Sequence, residues 1–194
     1  MSGDLFCDML REAQRDRQLV CIFRDPVDLR RFAVGFVEAV SENDYTLQQV
    51  DPDGNPDGVD VGAIDDIVEI RRETRYVRQI ALMMDKESND DVRPAGGWNG
   101  NPNPESCLEE ALRRSLQEKL VVNVLLATGE DELRFHGIVR EISETHVRLD
   151  VLTDDGEPDG ASAIRLDDIA GLQMNSRDEW KVALFNRHRM HLYL

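Results

Sequence analysis

The stretch Asp53-Gly54-Asn55-Pro56-Asp57-Gly58, followed by Ala63-Ile64-Asp65-Asp66-Ile67, decides how this chain is read, because it occurs twice. Asp155-Gly156-Glu157-Pro158-Asp159-Gly160 and Arg165-Leu166-Asp167-Asp168-Ile169 stand 102 residues later, with no gap needed between them. The same offset superposes Leu10-Arg11 on Leu112-Arg113, Gly35 on Gly137, Val37 on Val139, Ser41-Glu42 on Ser143-Glu144 and Leu47 on Leu149. About a quarter of positions 5 to 82 are identical in the second copy. A repeat of this length is domain-sized, not solenoid-sized. The expected organisation is therefore a first domain at residues 1–84 and a second at 107–194. Residues 85–106 (DKESNDDVRPAGGWNGNPNPES) lie between them, rich in Gly, Pro and Asn and without an apolar period, and read as a flexible linker.

Within each copy the periodicity changes in the same order. Leu5, Phe6, Met9, Leu10 and Ala13 share a helical face, as do Leu108, Ala111, Leu112, Ser115 and Leu116. A short amphipathic helix thus opens each repeat. Five strands are expected to follow. The first lies at 19–23 and 120–126, and the second at 31–40 and 133–142 with a glycine inside it. The third lies at 45–50, the fourth at 59–64 and 161–166, and the fifth at 67–70 and 169–172. A glycine inside a strand marks a sharp bend or a close backbone approach, as a small curved barrel requires. A closing helix is expected from Tyr76, Val77, Ile80, Ala81 and Met84. Its counterpart opens with a capping-box spacing of Ser176 and Glu179.

Composition sets the broad class. An apolar fraction of 41% can build cores, and no apolar run approaches the length of a membrane span. The formal charge of −16 is shared by the two repeats, opposing non-specific attraction to nucleic acid or an anionic membrane. Cys7, Cys21 and Cys107 have no metal-like spacing and read as reduced thiols, which places the protein in a cytoplasm.

One helix and five short strands, with Val122-x-Val124, Gly129, Phe135-x-Gly137-x-Val139-x-x-Ile142 and Val147-x-Leu149, resemble the Sm-like family of small SH3-like barrels. The first copy keeps Val20-x-Ile22, Gly35-x-Val37-x-x-Val40 and Tyr45-x-Leu47. The resemblance implies a mainly β chain of two tandem Sm-like, SH3-like five-stranded barrels, each with an N-terminal helix. It also implies ring assembly through the fourth and fifth strands, and binding of uridine-rich RNA by loop residues. The residues standing in the family's RNA-binding positions depart from its pattern. Ser41 and Ser143 replace the aspartate, Thr46 and Arg148 the asparagine, and Asp65-Asp66 and Asp167-Asp168 the Arg-Gly pair. The RNA contacts left to the chain are His146, Arg148, Arg140 and Arg165.

Other chemistry finds less material. Asp53-x-Asn55-x-Asp57-Gly58 matches the start of a calcium loop, but Ile64 and Leu166 stand where the closing glutamate belongs, so a polar turn is the plainer reading. Neighbouring aspartates in a strand point to opposite faces and do not converge on one ion. His136, His146, His188 and His191 have no counterpart in the first copy, and no nucleophile or phosphate-loop signature is present. Trp98 in the linker and the basic stretch at 187–191 read as packing and a helix end. The sequence therefore points to a non-enzymatic structural and interaction protein that assembles through strand edges and needs no cofactor. RNA binding is the alternative, and a calcium-binding adaptor a weaker one.

Overall fold

A computed structural model describes residues 5–28, 30, 32–84, 97–128 and 131–192 of the chain, with side chains left out at 127–128, 131–132 and 189–192. The chain divides into two compact units, Met1–Cys107 and Leu108–Leu194. Both are mainly β with flanking helices. The first contains α1 (Leu5–Asp16), β1 (Leu19–Phe23), β2 (Phe32–Val40), β3 (Asp44–Val50), β4 (Pro56–Ala63), β5 (Glu69–Arg72) and α2 (Arg75–Met84). Then follow α3 (Cys107–Glu118), β6 (Val121–Thr128), β7 (Asp131–Ile142), β8 (His146–Leu152), β9 (Pro158–Arg165), β10 (Ile169–Met174) and α4 (Arg177–Leu192). The offset of 102 carries α1 onto α3, β3 onto β8 and β4 onto β9 with identical bounds.

The strands run β5-β1-β2-β3-β4 in the first unit and β10-β6-β7-β8-β9 in the second, every pair within a unit antiparallel. The backbone irregularities are duplicated as well. Register shifts fall between Val37 and Ala39 and between Val139 and Glu141. Arg17, Lys119, Glu73 and Asn175 take positive φ at matched positions. A Cβ at Gly35 would run into the Gln48 carbonyl, and one at Gly137 would lie 3.0 Å from that of Asp150. The interior glycine thus serves the close backbone approach expected from the sequence.

Three expectations need correction. The sheet in each unit is open: the fourth- and fifth-position strands stand at its opposite ends, and no pairing among the described residues closes it into a barrel. The fourth strand begins at Pro56 and Pro158, inside the stretch read as loop, because Gln48 Nε2 and the β3 ladder take up its backbone. The fifth begins at Glu69 in the first unit, and Leu166 to Asp168 form a turn of 3-10 helix before β10.

The open sheet carries apolar residues on both faces in the first unit. Val20 and Ile22 face one way, into a cluster with Leu10 and Ala13 of α1, Val37, Tyr45, Leu47 and Ile70. Leu19, Cys21 and Phe23 face the other way, against Val34, Val50 and Val77 and Ile80 of α2. All five residues of β1 are buried for this reason. In the second unit Val121, Leu152 and Ile138 meet Val182 and Ala183 of α4 in the same manner. Ser176 and Glu179 form the expected cap of α4: the Ser176 N–H donates to Glu179 Oε2 at 2.8 Å, and the Asp178 N–H to Ser176 Oγ at 3.2 Å.

One polar group enters the first core. Arg24 donates to Asp60 Oδ2 at 2.7 Å, with Asp60 buried and the Tyr45 ring fully buried beside them. Burial works against the Arg24 cation, but Asp60, Tyr45 and Asp66 outweigh it and keep it charged. Burial likewise pushes the Tyr45 phenol up from its ordinary value. The second unit has Leu126, Val147 and Ser162 at these positions.

Two stability outcomes follow from this packing. Asp60→Asn leaves the Arg24 charge buried without its counter-ion and should cost about 3 kcal/mol in denaturant unfolding. A loss within experimental scatter would show that the pair is dispensable. Gly156 and Gly160 have φ of +74° and +87°, but a Cβ at Gly156 would lie 2.6 Å from Asn186 N and 2.7 Å from Val182 O, whereas Gly160 has nothing within 4 Å. Gly160→Ala should therefore cost only the conformational penalty of about 1 kcal/mol, and Gly156→Ala clearly more, because α4 must also move. Equal losses would refute the close approach of α4.

Candidate interaction surface

The four side chains singled out from sequence as nucleic-acid contacts lie on one face of the second sheet. Alternation along β8 buries Val147 and Leu149 and turns His146 and Arg148 outward. Across the ladder, His146 stands opposite Arg165 and Arg148 opposite Ala163. Arg140 lies within the register shift in β7 and reaches Asp150 with an Nε–Oδ2 distance of 2.6 Å. Arg148 has Glu141 Oε2 at 3.8 Å, with 57% of its own side chain exposed. His146 Nδ1 lies 2.8 Å from Thr145 Oγ1. Arg165 makes no ion pair among the described residues. The face is therefore a mixed patch, with Arg140 and Arg148 beside the carboxylates of Asp150 and Glu141 and with His146 and Arg165 exposed. Pairs this exposed contribute about 0–1 kcal/mol each and leave the arginines free to exchange partners.

The matched face of the first unit is different. Ala39, Ser41, Thr46, Val59 and Val61 are buried there, while Glu141, Ser143, Arg148, Ala161 and Ala163 are exposed in the second unit. Residues 97–107 run over the first face. The Pro102 carbonyl accepts the Val40 N–H at 3.3 Å and Gln14 Nε2 at 2.9 Å. Asp44 accepts the Ser106 hydroxyl at 3.0 Å and the Cys107 N–H at 2.8 Å, and it is also bonded by the Ser41 hydroxyl. Cys107 Sγ lies 3.6 Å from the Asp44 carbonyl, and burial together with that carboxylate pushes its thiol up to about 12. The part of the expected linker that falls among the described residues is thus a strap tied down by hydrogen bonds. Residues 85–96 lie outside the described residues.

The remaining candidates are accounted for locally. In the first Asp-Gly loop, Asp51 Oδ1 accepts the N–H groups of Asp53 and Asn55 at 3.0 and 2.8 Å, so Asp51 organises the turn. Thr153 Oγ1 does the same for Glu157 at 3.1 Å. Asp65, Asp66, Asp167 and Asp168 lie in the connections before the fifth strands. Among the described residues, no three His, Cys, Asp or Glu side chains converge as a metal site, and no helix is long and apolar enough to cross a membrane. Trp98 is half-buried against Gly100. Arg187 lies within α4, its Nε 3.3 Å from the Ala183 carbonyl, while side chains 189–191 fall outside the described residues.

A buried polar pair went unread in the sequence. His136 Nδ1 meets Asp154 Oδ1 at 3.2 Å, while His136 Nε2 and Glu179 Oε1 are buried without a hydrogen-bond partner among the described residues. The matched residues in the first unit, Val34 and Val77, belong to one apolar cluster. Both members of a packed pair have changed together from apolar to titratable, a signal that comparing the repeats position by position would have revealed. Burial pushes the Glu179 carboxyl up, against the hydrogen bonds from Ser176 and the influence of His136.

No protein-family model, curated protein or solved structure matches this chain.

The direction of the Glu179 shift sets a pH dependence. A carboxyl raised on folding contributes its full stability below the unfolded value, about 4.3, and loses it as pH climbs through the folded value. Glu179→Gln keeps an acceptor for the Ser176 N–H and removes the titration. Its melting temperature should rise relative to wild type as pH is taken from about 4 to 8. A difference that stays constant across that range would mean the carboxyl titrates normally.

Proposed function

We propose that the chain is a non-enzymatic structural and interaction protein, built from two Sm-like units and assembling with copies of itself through strand edges. The observation that carries this reading is that the sheet of each unit is open. Among the described residues of its own unit, β9 pairs only with β8, and β5 only with β1. One edge belongs to a fourth-position strand and the other to a fifth-position strand, so joining them is head-to-tail. Such contacts generate rings when the rotation closes. An eight-residue exposed strand such as β9 also presents a row of backbone donors and acceptors that favours pairing with another chain.

RNA binding, the other function the family resemblance implies, has weaker support. The cationic face also holds Asp150 and Glu141, and the turns that carry basic residues in Sm-like proteins are acidic here. Single-stranded nucleic acid binds best where bases can stack on aromatic rings, and no aromatic side chain accompanies His146, Arg148 and Arg165 on β8 and β9.

Light scattering of the purified chain over a wide concentration range tests the assembly. A discrete oligomer with a defined mass is expected. A monodisperse monomer at every concentration would remove the proposal.

A further inference from the structure

Asparagine is a chemically labile residue, and the group that attacks it is the backbone nitrogen of the residue that follows. That nitrogen can add to the side-chain carbonyl carbon, closing a cyclic imide and expelling the side-chain nitrogen as ammonia. Water then opens the ring at either carbonyl and leaves a carboxylate. No oxidant, metal or second protein is consumed. The attack needs a backbone N–H that is not held elsewhere, and a following residue small enough to let the nitrogen approach.

Most asparagines among the described residues fail one of these conditions. Asn55, Asn101 and Asn103 precede prolines, which have no N–H to give. After Asn43 the Asp44 N–H is held by Ser41 Oγ at 3.0 Å, and after Asn175 the Ser176 N–H is held by Glu179 Oε2 at 2.8 Å. Asn123 lies within β6, between the ladders to β7 and β10, and Asn186 lies within α4. Asn89 falls outside the described residues.

Asn99 meets every condition. It is exposed and precedes Gly100. Nothing among the described residues hydrogen-bonds the Asn99 amide or the Gly100 N–H. The pair stands outside every helix and strand, upstream of the points where Pro102, Ser106 and Cys107 fasten the strap. A Cβ at position 100 would lie 2.6 Å from Trp98 Cζ2. The packing of Trp98 therefore calls for the same glycine that opens Asn99 to attack.

We infer that Asn99-Gly100 is a self-modifying site. The Gly100 nitrogen attacks Asn99 Cγ, ammonia leaves, and hydrolysis turns a neutral residue of the strap into a carboxylate. Opening of the ring at the former side-chain carbonyl gives aspartate. Opening at the backbone carbonyl gives isoaspartate, in which the main chain runs through the former side chain and gains a carbon between Trp98 and Gly100. The strap thus acquires negative charge with age, whatever the chain assembles with.

The test holds the purified full chain at mildly alkaline pH and follows its proteolytic peptides by mass spectrometry. Exchange of amide for carboxylate is expected at Asn99 ahead of every other described asparagine, and faster as pH rises, because the attacking nitrogen must shed its proton. Aspartyl-glycine pairs such as Asp57-Gly58 can form the same ring, but they reopen without a change of mass. Asn99→Gln demands a larger ring and should abolish the exchange at this position. Gly100→Ala should slow it about tenfold. Thermal melts check that both variants keep the fold. An Asn99 that stays intact throughout, or that converts after the other described asparagines, would overturn the inference. Equal rates in the wild type and Gly100→Ala would do the same. A product holding isoaspartate supports the cyclic route, and one holding aspartate alone would overturn it in favour of direct hydrolysis.

Discussion

β1 is squeezed between two helices, and the rest of the first unit is arranged to make that possible. A strand buried on both faces can no longer alternate apolar with polar residues, and Leu19-Val20-Cys21-Ile22-Phe23 does not. The even residues meet α1 and the odd ones α2, so one pentapeptide belongs to two cores. Neither helix could cover the sheet if the chain between them were not turned back sharply. Those reversals use the positive-φ residues Arg17 and Glu73 at the helix-to-strand and strand-to-helix junctions, Gly54 in the connection from β3 to β4, and Gly58 near the start of β4. All four have counterparts 102 residues later, so the geometry of the junctions has outlasted most of the side chains around them.

Much of this frame could be read from the residues themselves. The duplication, both opening helices, the order of the strands, the close backbone approach at Gly35 and Gly137 and the cap at Ser176 all rest on local chemistry that periodicity exposes. The limits of the fourth strand were less legible. Pro56-Asp57-Gly58 carries every mark of a turn, yet it pairs with β3, an edge tolerance that depends on tertiary neighbours. Closure was not legible either, since whether a bent sheet joins its ends depends on long-range geometry that no short pattern encodes. The strap was missed for a related reason. Nothing in Asn-Pro-Asn-Pro announces that the Pro102 carbonyl will meet Val40 and Gln14 across the fold.

Comparing the copies separates what the fold needs from what each unit does with it. Matched inner-face positions stay apolar: Leu10 and Leu112, Val20 and Val122, Val37 and Val139, Leu47 and Leu149 are all buried. Divergence is concentrated elsewhere. The first unit has placed an Arg–Asp pair beside Tyr45, and the second has buried His136 of β7 and Glu179 of α4, each where the other unit is apolar or neutral. The candidate surface was partly legible in the same terms. His146, Arg148, Arg140 and Arg165 could be named from the sequence; the β8–β9 register brings His146, Arg148 and Arg165 to one face, and Arg140 reaches it from β7 through Asp150. That Asp150 engages Arg140, and that the matched residues of the first unit are buried, required the three-dimensional arrangement.

All three cysteines of the chain fall in the first unit, and all are buried. Burial raises the Cys21 thiol and pushes that of Cys107 up to about 12, so in the folded protein these groups are shielded as well as poorly ionised. The second unit has no sulfhydryl at all. A thiol-alkylating reagent added to the intact chain therefore acts as a stopwatch for one half of it. Each labelling event at Cys7 or Cys21 records an opening of the first unit, one at Cys107 records release of the start of α3, and the rest of the twin contributes no background to the count.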